Sequence, residues 1–480
     1  MFGFSRRQGS ILHLTWIAFF VTFVAWFNMA PFNVTLMKTM GLSGEQIKTL
    51  IICNVALTIP ARIAIGSLVD LYGPRKVYSL ILLFASGVCL QFAMAETFLD
   101  LVFSRLSMSV VGAGFVVGIK VISEWFPSEK MGIAQGIYGG WGNFGAAAAA
   151  FALPMIAALF PSETGWRAAA MFSGSLCLIW SGVFFRFAQD SPDGKTHFKA
   201  ALDSRLEVFD NKGLILLVLI QVPVYATMAA LAWKLSGHPY QLLPSSMTFL
   251  LYEIIGGVFV WRVWSAISFN IKRLTKSPPK EKRYEFSQIA ILSLVYSLTF
   301  GSELAVISIF PQFLETLYDL TVVQAGWFGS SFAFMNLIIR PSGGWFSDKI
   351  GRKKSLIILT AGAMIIYGMM SRIGPGWPLA STLSLAILCS LFLQAGNGAC
   401  FAMVPLIRRD FSGKMAGLAG AYGNVGSAIF LIVFSFVEIK LFFKILAGYA
   451  VIIFGISTTF PSFSPVLRSN KKTTSNKQGN

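Results

Sequence analysis

Apolar residues in this chain come in long runs, separated by short and mostly basic polar stretches. At ~1.5 Å of helical rise per residue, about twenty such residues cross a hydrocarbon core ~30 Å thick, so each run predicts a transmembrane helix. The runs fall at about 11–36, 47–69, 76–95, 99–124, 131–159 and 167–188, and again at about 287–316, 322–346, 354–372, 380–406, 413–435 and 441–461. Between the sets lie the polar stretch AQDSPDGKTHFKAALDSRLEVFDNK, two further apolar runs near 213–235 and 245–269, and the basic linker NIKRLTKSPPKEKRYEF. The pattern predicts an all-α polytopic membrane protein. Residues 1–190 form a first six-helix half and 287–465 a second. Residues 191–286 form a central linker with an inserted apolar helix pair, and 466–480 a disordered basic tail.

Composition and charge sharpen this picture. With 55% hydrophobic and 12% charged residues, the chain lacks the polar surface a soluble domain of its length requires. The formal net charge of +18 sits in the loops between apolar runs, which is the signature of cytoplasmic loops rather than of a nucleic-acid partner. Loops holding Arg6 and Arg7, Arg75 and Lys76, Lys349 to Lys354, and Arg408, Arg409 and Lys414 are basic. Opposite loops such as AETFLD and LETLYDLT are acidic. Both termini are therefore expected in the cytoplasm. An inserted pair that crosses the bilayer preserves this parity, as does an interfacial hairpin; crossing is the favoured reading. The first run follows Arg6 and Arg7 but is long and lacks a small-x-small cleavage site, so it reads as an uncleaved first helix. Five cysteines and three histidines show no ligand spacing, and no metal or cofactor is expected.

The two halves repeat each other. Arg62, Gly66 and Asp70 recur as Arg340, Gly344 and Asp348 at a constant offset of 278, and GGWGNFG (139–145) recurs as GAYGNVG (420–426) at an offset of 281. Each arginine lies eight residues, roughly 12 Å of helix, deeper than its aspartate, near the bilayer midplane. A guanidinium there is costly and by default faces an internal cavity with a functional partner. No acidic residue shares either arginine's apolar run, so an anion site explains the pair better than helix-to-helix ion pairing. Halves that close around a central site are the architecture of alternating access.

GSLVDLYGPRK and GGWFSDKIGRKK resemble the loop signature of the major facilitator superfamily, and GWGNFG and GNVG resemble the two signatures of its nitrate/nitrite porter family. Further similarity runs from HLTWIAFFVTFVAWFN through GAGFVVGIKVISEWFP and FGSELAVISIFPQF to LQAGNGACFAMVP, and the central insert is similar to that of the cyanobacterial plasma-membrane branch. The resemblance implies a major facilitator fold and secondary import of nitrate, and of nitrite, across the plasma membrane; the cost of bringing an anion into a negative cell makes protons the expected coupling ion. It implies Arg62 and Arg340 as the substrate-binding pair, with the glycine–asparagine motifs at the substrate site.

The residues make physical sense of that expectation. Two planar guanidiniums offer paired donors to one small planar anion, as an ammonium cannot. Asn143 and Asn424 bring amide donors into apolar runs and are candidate substrate ligands, with interhelical hydrogen bonding as the alternative. Gly142 and Gly423 belong to the same motifs and are candidate substrate-site residues, with close helix packing as the live alternative. Asn28, Phe27 and Tyr296 are candidate cavity-lining residues. Glu303 lies in an apolar helix with few polar neighbours and is the candidate carrier of a coupled proton; neutralising an arginine is the alternative. Lys120 is a candidate for attracting anions at the inner mouth, or it snorkels to the interface. Asp70, Arg75, Asp348 and Arg352 read as gating residues of the cytoplasmic loops. Nitrate–nitrite exchange and a nitrate-binding sensor stay open beside symport. No nucleotide-binding loop and no nucleophile–base constellation appears, so neither a pump nor an enzyme is expected.

Overall fold

The computed structural model describes residues 4–192, 206–237, 242–274, 284–407 and 412–461. The side chain of Asp70, most of the basic linker, Arg408, Arg409 and the tail lie outside the described residues. The described residues are helical, and thirteen stretches are long and apolar enough to cross a membrane. The first half comprises α1 (Arg6–Trp26, continued after a short 3₁₀ turn by Asn33–Met40), α2 (Gly44–Ala56 and Thr58–Tyr72) and α3 (Pro74–Ala93). It continues with α4 (Phe98–Val111 and Gly114–Trp125), α5 (Ser128–Ala157) and α6 (Gly165–Phe187). The central pair is α7 (Asn211–Leu219 and Gln221–Ser236) and α8 (Ser245–Leu274). The second half comprises α9 (Phe286–Tyr318), α10 (Val322–Phe334 and Asn336–Ile350), α11 (Arg352–Met370), α12 (Leu379–Ile407), α13 (Ser412–Phe434) and α14 (Ile439–Thr458).

The packing follows the sequence repeat. Within the first half α1 packs on α5 and α3 on α6; within the second, α9 packs on α13 and α11 on α14. The halves meet through α5 against α10 and α13 against α2. Two local devices recur at the same offset of 278. The α2–α3 and α10–α11 turns hinge on Gly73 and Gly351, whose φ values of 81° and 101° suit only a residue without Cβ. Helices α2 and α10 both break, at Leu57 and Met335, five residues before their arginine. The causes differ. Pro60 has no N–H to offer the Ala56 carbonyl, whereas Asn336 takes the Ala333 carbonyl with its side chain (3.2 Å).

The central pair is attached on one side. Helix α7 packs against α13 and α2, and α8 against α7. Much of α8 presents apolar side chains outward, Phe249, Trp261 and Trp264 among them. Tyr422, inside the second glycine motif, donates to the carbonyl of Ile220 at the break in α7. The five cysteines are all buried and unpaired.

Candidate functional site

The sequence-predicted arginines sit at the two interfaces between halves. Arg62, fully buried, donates from Nη1 to the Gly420 carbonyl on α13, and from Nη2 to the Gly112 carbonyl at 3.4 Å. Arg340, 2% exposed, donates from Nη2 to Tyr296 Oη at 3.1 Å. Arg62 Nε and Arg340 Nη1 have no hydrogen-bond partner, and among the described residues neither guanidinium lies within ion-pair distance of a carboxylate. The two converge on one ring: Phe300 lies 5.4 Å from Arg62 Cζ and 5.5 Å from Arg340 Cζ. Cation–π attraction compensates part of the cost of burying these charges but leaves their unused N–H groups available.

An aromatic chain links the guanidiniums. Phe19 stacks on Tyr138 and Tyr138 on Phe115; Phe115 meets Phe401 edge-on at 5.0 Å, Phe401 meets Tyr296 at 4.7 Å, and Tyr296 stacks on Phe300. Beside Arg340, Phe115 and Phe401 border a cavity of about 10 Å³ whose polar walls are Gln135, Arg340 and Asn397. That is room for a single water, so a four-atom anion enters only if the lining side chains separate.

The glycine motifs make two kinds of close approach. A Cβ on Gly142 would run into the Phe19 ring, and one on Gly423 would stand 2.6 Å from Phe300 and 2.7 Å from Tyr296, so both glycines let helices of one half close. One turn earlier, Gly139 faces Arg340 and Gly420 faces Arg62, at 3.1 and 3.2 Å from a would-be Cβ. Each half's glycine helix thus cradles the other half's arginine. Replacing Gly423 with alanine is expected to displace Tyr296, costing ~1–3 kcal/mol of overpacking and most of Arg340's alignment. Gly448→Ala, where nothing lies within 4 Å, is the control, with thermal unfolding and uptake as readouts. Equal behaviour of the two variants would refute this packing argument.

The asparagines differ from each other. Asn143 donates to the Gly139 carbonyl on its own helix (2.6 Å), whereas both amide atoms of Asn424 are buried and unpartnered. Tyr296 joins Arg340 as described, but Asn28 lies elsewhere. It donates to Ser173 Oγ (3.1 Å) and accepts from Nη1 of Arg105 (2.9 Å), a third buried arginine that stacks on Phe92 at 3.9 Å. Asn28 therefore holds the interior of the first half in this structure, and Phe27 packs against Phe23 and Trp26 beside it. Lys120 is paired with Glu124 at 3.0 Å, one helical turn away. The Arg75 backbone N–H donates to Asp190 (2.8 Å) and its guanidinium covers Phe185; Asp348 is exposed beside Arg352.

Glu303, 1% exposed, is held by two amides: Asn336 Nδ2 at 2.7 Å on Oε1, and Asn397 Nδ2 on Oε2. Asn336 stands one turn before Arg340 on α10, and Asn397 lines the Arg340 cavity from α12. Neither amide was singled out from sequence, nor were Arg105, Phe115, Phe300 and Phe401.

Comparison with known proteins gives concordant results. A family model described as Major Facilitator Superfamily matches residues 15–431, with a second match over 290–477. The chain is 41% identical to the nitrate/nitrite transporter NrtP of Nostoc punctiforme, the match covering 99% of this chain and 98% of that protein. It is also 41% identical to NrtP of Picosynechococcus (90% and 86% covered), and 24% identical to the high-affinity nitrate transporter 2.3 of Oryza sativa subsp. japonica (89% and 72% covered). Among solved structures, the xylose transporter XylE from E. coli superposes with a TM-score of 0.63 at 14% identity, covering 95% of this chain and 98% of that one. The human organic anion transporter MFSD10 gives 0.62 at 12%, covering 94% and 99%. At such identities these two structures speak to the fold alone.

Proposed function

The chain belongs to the Major Facilitator Superfamily, and within it to the nitrate/nitrite porters, and from that premise we propose that it imports nitrate, and nitrite, across the plasma membrane by alternating access coupled to proton symport. One observation carries the anion assignment. Two buried guanidiniums, one from each half, converge on Phe300 with unused N–H groups and no carboxylate in ion-pair distance among the described residues. Such an arrangement is costly without an anion and becomes favourable with one. A planar monovalent anion matches the fork geometry of a guanidinium, and a ring face beside it suits a flat ligand.

The interfaces supply the motion. Arg62 is tied to α13 and Arg340 lies against α5, so an anion held by both draws the halves together across these two contacts. Rocking at the same contacts then exposes the site to either side. Glu303 takes up the coupling proton, Asn424 adds donors to the anion shell, and the Asp70–Arg75 and Asp348–Arg352 loops latch the cytoplasmic side. The basic loops support cytoplasmic termini, and the length and apolarity of α7 and α8 support a pair that crosses the bilayer.

Labelled nitrate uptake into proteoliposomes tests this reading. Accumulation above equilibrium is expected only when an inward proton gradient is imposed. Uptake indifferent to the gradient but stimulated by internal nitrite would replace symport by exchange. No uptake by folded protein would point to a nitrate-binding sensor or overturn the substrate.

A further inference from the structure

Glu303 is tied by hydrogen bond to a wall of the anion cavity, and this tie has a consequence beyond the proton-symport reading on which it rests. The carboxylate accepts from Asn336 on α10 and from Asn397 on α12. The oxygens of both amides, Asn336 Oδ1 and Asn397 Oδ1, are buried without a partner, as is Gln394 Oε1 one turn before Asn397. An amide carries donors on one side and acceptors on the other, so it can serve either form of a carboxyl. An ionised Glu303 needs donors and receives one from each asparagine, with the Gln394 amide also beside it. A protonated Glu303 presents an O–H that needs an acceptor, and the waiting acceptors are these amide oxygens.

The two asparagines differ in what lies behind them. Asn336 closes the break in α10, with its Nδ2 also reaching the Ala333 carbonyl at 3.2 Å. Asn397 has the cavity behind it, where it shares the wall with Arg340, Gln135 and Gly139. Rotating the Asn397 amide by half a turn offers Oδ1 to a protonated Glu303 and swings Nδ2 toward the cavity. We propose that Asn397 is the positioning residue that couples the proton to the anion: its amide faces Glu303 when the carboxylate is charged, and turns its donor to a planar monovalent anion beside Arg340 when Glu303 is protonated. Proton and anion binding then favour each other, as linkage requires in both directions. The charged or titratable groups around Glu303 are Arg340 on α10, Tyr296 on α9, Tyr367 on α11 and Cys389 on α12. Of these, Arg340 shares the cavity with Asn397, so the amide bonds one of the two charges whose states must be matched and lines a wall with the other.

The experiment is equilibrium binding of labelled nitrate to the purified full-length protein as a function of pH. The wild type, Asn397→Leu, Asn336→Leu and Glu303→Gln are compared, with thermal unfolding recorded for each. Wild-type affinity is expected to tighten as pH falls, by up to about tenfold per pH unit for one linked proton. Asn397→Leu is expected to bind several-fold more weakly at low pH and to lose the pH response, as Glu303→Gln does. Asn336→Leu is expected to keep the response with a shifted midpoint. Should Asn397→Leu not fold, Asn397→Ala lacks the same donors and is expected to give the same flat profile. A pH response that survives in the folded Asn397 variant while Glu303→Gln is flat overturns the coupling role and leaves the symport reading intact. Loss of the response in both asparagine variants alike reduces Asn397 to a structural support and overturns the proposal. A wild-type affinity independent of pH overturns the symport reading and this inference together.

Discussion

Arg62→Lys and Arg340→Lys are each expected to weaken nitrate binding by about 10- to 100-fold while leaving the protein folded. Lysine keeps the charge, so the loss isolates what the planar fork contributes. A charge-assisted hydrogen bond contributes ~1.5–3 kcal/mol, and ~1.4 kcal/mol is tenfold in affinity. Arg62 already commits Nη1 to Gly420 and Nη2 to Gly112 while holding Nε free. An ammonium on a flexible stem cannot reach both carbonyls across the interface and still donate into the site. Arg340 divides its donors in the same way between Tyr296 and an unpartnered Nη1. Glutamine at either position removes the charge as well, and uptake is expected to fall below detection. The effects of the two lysine variants should not add, because both guanidiniums lean on Phe300 and bind one ligand. A Michaelis constant for Arg340→Lys within about threefold of wild type would remove the arginine from the anion shell.

The buried arginines stood out in the sequence because a charge at the centre of an apolar run is costly and no acidic residue shares either run. The all-helical membrane class was legible for a related reason, since lipid forces each span to read as a largely apolar run. The glycine motifs announced a close approach, but which surface approached required the packing: Gly142 and Gly423 face their own half, and Gly139 and Gly420 the other half's arginine. The aromatic chain gave no signal. Among 44 phenylalanines, nothing in spacing marks Phe115, Phe300 and Phe401 as neighbours, because they lie on three different helices. Arg105 escaped notice since it stands near the acidic AETFLD loop, where an arginine is expected to snorkel; the fold buries it against Asn28 instead. The cluster around Glu303 was half visible. The carboxyl stood out in its helix, but its partners at 336 and 397 sit on α10 and α12, and no periodicity relates three helices.

Glu303→Gln is expected to abolish concentrative uptake altogether while exchange of labelled for unlabelled nitrate remains measurable. The membrane potential sets the size of the effect. Carrying one negative charge into an interior at −100 mV costs ~2.3 kcal/mol, which alone holds a monovalent anion about fifty-fold more dilute inside. One proton carried with the anion makes the cycle electroneutral and removes that penalty, and any pH gradient then concentrates nitrate further. Glutamine is close in shape to glutamate and can still meet Asn336 and Asn397 through its own amide, so the helix packing around position 303 should survive. What it cannot do is exchange a proton. Proteoliposomes carrying the variant should therefore settle at the distribution the potential dictates, and a proton gradient should move that distribution no further. Exchange needs no net proton movement and needs only the arginine pair and the rocking of the two halves. The same variant thus separates the two mechanisms the sequence left open: a porter driven by counter-anions would be indifferent to the loss of this carboxyl. Concentrative, gradient-driven uptake by Glu303→Gln would place the coupling proton elsewhere in the protein.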